Sequence, residues 1–213
     1  MKIAAPQLPI VVEDISVGIM IQDGEIENGR IFDQEAVNAN IAALELRGVK
    51  IEKVNFTRAQ FGRINARDML VIQSDFSSAN VADGSVNRAS FANCRLTGFD
   101  ISKTALHDVT FRGCKLDLAN FRFADLRRVH FIDCTLEEAD FLGATLHDVA
   151  FQNCMLEKTV FNQIKAKKLD LRSSQLHGIS GWQFLKGATI DAVQLSTVAP
   201  YLAHELGLIV RDD

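Results

Sequence analysis

The chain has 213 residues, 47% of them hydrophobic, which is enough to bury a sizeable core and excludes a disordered polymer. Its formal net charge of -4 excludes a strongly basic nucleic-acid-binding chain, and the excess is too small to define an acidic tail. No apolar run reaches the roughly 18 to 20 residues that cross a bilayer, and no charged segment precedes a cleavable apolar stretch, so a cytoplasmic protein without a membrane span is expected.

In chain order, residues 1–20 carry Pro6 and Pro9 and are expected to form an irregular N-terminal cap. A five-residue pattern follows. Ile21, Ile26 and Ile31 already keep it, and from Ile41 to Leu176 every position whose number ends in 1 or 6 is apolar. Two residues before these stands a second, smaller set, such as Ala79, Ala89, Ala119, Ala124, Ala139 and Ala144. A period of five fits neither the 3.6 residues of a helical turn nor the alternation of a strand, so each unit is a short extended side followed by a turn. Four sides make a square coil of 20 residues, and coils stack at about 4.8 Å through parallel backbone hydrogen bonds.

The predicted fold is all-β: a right-handed quadrilateral β-helix over residues 21–181, of about eight coils and roughly 38 Å, closed by a short α-helical C-terminal cap over 182–213. Stacking by 20 predicts a core of columns. Phe91, Phe111, Phe131 and Phe151 form one, Phe121, Phe141 and Phe161 the opposite one, with Leu columns between them. Cys94, Cys114, Cys134 and Cys154 form a further inward column and are read as buried small hydrophobes. Their spacing suits no metal, and parallel Cβ vectors oppose a disulfide.

At Gly181 the repeat ends, and Trp182 is expected to plug the open coil together with Phe184, Leu185 and Ile190. Asp191 and Gln194 have the spacing of a capping box, Leu195, Val198, Leu202 and Leu206 follow at helical spacing, and Gly207 suits a left-handed terminator. Pro200 leaves two short helical segments as open as one. Closure of the coil leaves some of Leu195, Val198, Tyr201, Leu202 and Leu206 unoccupied, and a homodimer through this segment is expected.

Leu106-His107-Asp108-Val109 recurs as Leu146-His147-Asp148-Val149. The two imidazoles fall two coils apart on an outward surface with no nucleophile or pocket, so no catalytic residue, cofactor or metal site is predicted. Between residues 41 and 181 there are 19 Lys and Arg against 16 Asp and Glu. The most basic side carries Arg47, Arg67, Arg88, Arg127, Arg128 and Lys165, interrupted by Glu45, Asp68, Asp108, Asp125 and Asp148. Acidic residues cluster around Asp133, Glu137, Glu138, Asp140 and Glu157, a candidate partner surface, and direct nucleic-acid binding is not expected.

Units such as Ala39-Asn40-Ile41, Ala79-Asn80-Val81, Ala119-Asn120-Phe121, Ala124-Asp125-Leu126 and Ala139-Asp140-Phe141 resemble the pentapeptide-repeat family. The tail, Gly187-Ala188-Thr189-Ile190-Asp191 with Gln194 and then Leu206-Gly207-Leu208, is similar to that of the Qnr-type quinolone-resistance members. That resemblance implies a non-enzymatic solenoid, dimeric through its tail, that binds DNA gyrase or topoisomerase IV and modulates quinolone action. The unbroken register leaves no room for the loops that many Qnr-type members insert between coils. A general protein-interaction scaffold with an unrelated partner stays open beside it.

Overall fold

A computed structural model describes residues 3–10 and 13–211. In chain order the elements are β1 (Glu13–Asp14), α1 (Val17–Asp23), β2 (Glu25–Glu27), β3 (Gly29–Phe32), β4 (Asn40–Glu52), β5 (Gln60–Ile72), β6 (Asn80–Ala92), β7 (Ala105–Arg112), β8 (Asp125–Ile132), β9 (Thr145–Gln152), β10 (Lys165–Asp170), a 3-10 turn (Trp182–Phe184) and α2 (Ala192–Glu205). The strands pair in parallel, each with the strand one coil on, and the chain winds into a β-solenoid of about eight turns. From β4 onward the register is the repeat itself, with Phe61 opposite Val81, Phe91 opposite Phe111 and Phe131 opposite Phe151.

The central residues of the four sides are buried, as at Phe121, Leu126, Phe131 and Leu136 in one coil. We call the sides first to fourth in that order. At most corners the backbone turns through a residue in the left-handed region, two positions after the central residue; the exceptions are Ala43, Arg63 and Asp83, where β4, β5 and β6 run on from the first side to the second. Few of these corners are glycine. Asp108 (φ 55°), Leu118 (φ 60°), Phe123 (φ 58°) and Asp133 (φ 53°) all hold this conformation, which costs an L-residue about 1–2 kcal/mol and persists here because backbone pairing to the next coil fixes it.

Inside, the two phenylalanine columns stack at the spacing of the coils. Ring centroids are 5.0 Å apart between Phe111 and Phe131, 4.7 Å between Phe131 and Phe151, and 4.7 Å between Phe121 and Phe141. Across the interior the columns meet edge to face, Phe121 against Phe131 at 5.8 Å and 89°, the geometry that ring quadrupoles favour. The Cys column lies beside them, all four thiols free and buried. Each Sγ sits near the carbonyl two residues before it, as Cys134 does 3.2 Å from Ile132 O. Buried at 1–2% exposure beside the rings, the four thiols pack as small hydrophobes.

Packing is less complete nearer the N-terminus. Phe56 and Phe76 stand on the fourth side, whereas from Phe91 the rings move to the third. Where the columns change over, the second side carries Ala66 and Val86 instead of leucine. An apolar void of about 40 Å³ results, lined by Met20, Leu46, Phe56, Phe76, Val86 and Phe91 among others.

The ends are closed differently. α1 takes the place of the first side that Ile21 would have opened, with Met20 fully buried and Gly24 (φ 68°) ending the helix. At the other end Thr189 pairs with Asp170, one residue short of the repeat. Leu185 is buried, and Trp182, Phe184 and Ile190 pack half-buried against the core. The capping box is present: Asp191 accepts the Gln194 N–H at 2.9 Å, and Gln194 Oε1 accepts the Asp191 N–H at 2.8 Å. Gln194 Nε2 also donates to the carbonyls of Leu171 (2.6 Å) and Ser174 (2.7 Å), so one side chain caps both the helix and the last coil. α2 runs through Pro200 in one piece, which decides the alternative the proline left open.

Candidate interaction surfaces

The two His-Asp pairs sit at the corner between the second and third sides, and their aspartates are committed to ion pairs. Asp108 accepts from Arg128 through both oxygens, at 2.7 Å from Nε and 2.6 Å from Nη2. That contact, followed by other hydrogen bonds and charges, outweighs burial and holds its carboxyl below the ordinary range. Asp148 lies 3.3 Å from Lys168 Nζ and 3.2 Å from His147 Nδ1. Among the described residues, no group of three His, Cys, Asp or Glu could hold a metal ion.

These pairs belong to a longer array. Counting by coil, this corner carries Gly48, Asp68, Arg88, Asp108, Arg128, Asp148 and Lys168, with φ between 51° and 64° throughout. Asp68 pairs with Arg88 through both oxygens as Asp108 does with Arg128. Charges of alternating sign therefore climb the corner. The acidic interruptions read on the basic side are partners of its cations: Asp68, Asp108 and Asp148 pair with Arg88, Arg128 and Lys168, a signal visible in the sequence only when positions 20 apart are compared, whereas Glu45 and Asp125 pair with Arg47 and Arg127 two residues on.

The acidic cluster is partly neutralised. Lys158 Nζ is 3.4 Å from Glu138 and 3.8 Å from Glu137, Arg122 is 3.7 Å from Asp140, and Arg112 is 3.8 Å from Asp133. Glu157 lies half-buried one coil on from Glu137. Beside this cluster is a feature that sequence patterning missed. Leu118 and Phe123 flank the first side of one coil from its two corners and are 57% and 55% exposed. One coil on, the same corner carries Gly143, whose Cβ, were there one, would stand 2.5 Å from the Phe123 ring. The glycine makes a seat for the ring, and the ring is held outward.

At the C-terminus, the five residues predicted to form a dimer contact divide. Val198 is 1% exposed and spent on the chain's own last coil. Tyr201 is half-buried with its hydroxyl 3.0 Å from His177 Nδ1, and Leu202 packs against the core. Leu195 and Leu206 face outward, joined by Val193, Leu208 and Ile209.

A stacked four-sided solenoid whose corners project side chains outward defines a repeat scaffold. The family model for the pentapeptide repeat region matches residues 44–121 and 104–180. The chain belongs to the pentapeptide-repeat family. Among solved structures it is similar to HetL, a pentapeptide repeat protein involved in heterocyst differentiation regulation from Nostoc sp. strain PCC 7120, at 18% identity over 78% of this chain and 89% of that one, TM-score 0.48. It is also similar to QnrB1, a plasmid-mediated fluoroquinolone resistance protein, at 21% identity over 96% and 98%, TM-score 0.43. A third is Rfr23 from the cyanobacterium Cyanothece 51142, at 13% identity over 82% and 97%, TM-score 0.27. No curated protein matches. At these identities the likeness concerns the fold alone. Among the described residues, no helix is long and apolar enough to cross a membrane.

Proposed function

We propose that this chain is a non-enzymatic protein-binding solenoid. The observation that carries the reading is Phe123, a large apolar ring held outward on Gly143 with Leu118 across the same side. A left-handed corner favours glycine, and Gly98 and Gly143 fill these corners in neighbouring coils, so neither the turn nor the core requires an apolar side chain there. Rigid exposed aromatics of this kind are the anchors of protein interfaces.

The partner class to test first is a type II DNA topoisomerase, on the resemblance of the tail to the Qnr-type members. Purified DNA gyrase, assayed for supercoiling with and without a quinolone, is expected to respond to the wild-type chain and less to Phe123→Ala. No inhibition and no protection at micromolar concentrations would remove gyrase as the partner. The pairing of Glu137, Glu138 and Asp140 with Lys158 and Arg122 favours the second reading, a scaffold for an unrelated protein, because it leaves this stretch without a sustained acidic surface.

A further inference from the structure

Residues 3–10 contribute to no helix or strand, yet they are anchored along the corner of alternating charge. The Gln7 N–H donates to Asp68 Oδ1 at 2.9 Å, and the Ala4 N–H donates to Asp108 Oδ1 at 3.3 Å. Pro9 lies beside Gly48, its Cδ 3.3 Å from where a Cβ would be. The segment thus crosses the corner at three levels of the rod, against the direction in which the coils advance.

The spacing is commensurate. Asp68 and Asp108 are two coils apart, about 9.6 Å, and an extended chain covers about 10 Å in the three residues from Ala4 to Gln7. Each carboxylate is held in place through both oxygens by an arginine one coil on, Arg88 or Arg128, and its Oδ1 accepts the backbone N–H in addition to the arginine Nε. Ile3, Pro6, Leu8 and Pro9 are half-buried, whereas Ala4, Ala5 and Gln7 are exposed. Pro6 and Pro9 fix their own φ and bias Ala5 and Leu8 toward extended backbone, which lowers the entropy lost on docking. The prolines that mark an irregular cap in the sequence serve this purpose in the structure.

We propose that this corner is a docking rail for an extended, proline-containing polypeptide, and that residues 3–10 are its built-in occupant. The rail supplies carboxylates at every second coil, and the occupant supplies N–H groups at every third residue. A second segment of the same chemistry competes for the same two aspartates. This inference does not rest on the reading of Phe123, which lies on another corner.

The test uses the full chain carrying Ala4→Pro and Gln7→Pro, which removes both N–H donors and leaves the rail unchanged. In this opened chain amide exchange in β5 to β8 is expected to be unchanged. A fluorescent peptide with the sequence of residues 3–10 is then expected to bind this opened chain at least about tenfold more tightly than the wild type, whose tethered segment outcompetes it at an effective concentration near millimolar. Adding Asp68→Gly and Asp108→Gly, glycine being native to this corner at Gly48, is expected to abolish that binding. Circular dichroism and the thermal midpoint report that each variant is folded. No peptide binding to the opened chain, or equal binding without the two carboxylates, would each overturn the proposal.

Discussion

Gly84 tolerates less than any corner residue. Its φ of 144° lies outside what L side chains adopt, and an added Cβ would stand 1.9 Å from the Ile64 carbonyl oxygen. Gly84→Ala is therefore expected to cost roughly 2–4 kcal/mol, combining backbone strain with displacement of a paired coil. Gly187, at φ 84° with nothing within 4 Å, is the control: Gly187→Ala meets only the conformational term, about 1 kcal/mol. Urea midpoints of the two variants would check the difference, and equal losses would show that the contact with Ile64 is relieved cheaply. Asp108 makes a second residue-scale prediction. Its carboxyl is held below the ordinary 3.8, first by Arg128. A depressed folded pKa contributes stability that is complete above the unfolded value and is lost as pH falls through the folded one. Urea midpoints of the wild type are expected to drop below about pH 4, and Asp108→Asn is expected to show a lower midpoint at pH 7 with a shallower fall in acid. Little of this was legible in the sequence. Asp108 reads as half of a His-Asp pair because His107 is its neighbour in the chain, whereas its partner is Arg128, 20 residues away.

The sides and columns were legible. From Ile41 to Leu176 the central residues turn inward as the repeat requires, whereas Ile21 lies in α1 and is 38% exposed; the phenylalanine columns follow from register alone. Two elements departed from that reading for physical reasons. α1 replaces the first side of the first coil, where the core still needs a cover and Val17 and Met20 supply it. The void arises because the register says which residues point inward but not whether their volumes sum to a full core. Leucine is native to the second-side column at Leu46, Leu106 and Leu126, and Val86 lines the gap. Val86→Leu is expected to fill part of it and raise stability by about 0.5–1 kcal/mol, one buried methylene's worth. Differential scanning calorimetry would register this as a higher midpoint. A lower one would mean that the gap is too narrow for the leucine rotamers and that the added carbon overpacks the coil.

At the scale of the molecule, a solenoid has to end, and the way this one ends leaves apolar surface over. A coil left open would expose core side chains and unpaired backbone groups to further stacking. Here α2 covers the last coil with one stripe, Gln194, Val198 and Tyr201, and Leu202 packs beside it. The next stripe around the helix holds Leu195 and Leu206, 50% and 75% exposed, and the residues after the helix add Leu208 and Ile209 at 61% and 79%. The sequence pattern marked this segment as carrying more than one apolar face, but it could not divide the faces, because helical spacing leaves open which stripe the coil takes. Val198 proves to belong to the monomer, so the contact between copies would be built on Leu195, Leu206 and the residues after the helix. A two-fold contact is the commonest way to bury such a surplus on a single chain. Light scattering on the full-length chain at tens of micromolar is accordingly expected to give a dimeric mass. Leu195→Glu with Leu206→Glu places two charges in the contact without touching the stripe that closes the coil, and is expected to give a monomer with unchanged circular dichroism and little change in thermal midpoint beyond that of lost association. A monomeric mass for the unaltered chain would end the dimer hypothesis, and a dimer that survives both charges would move the contact to another part of the rod.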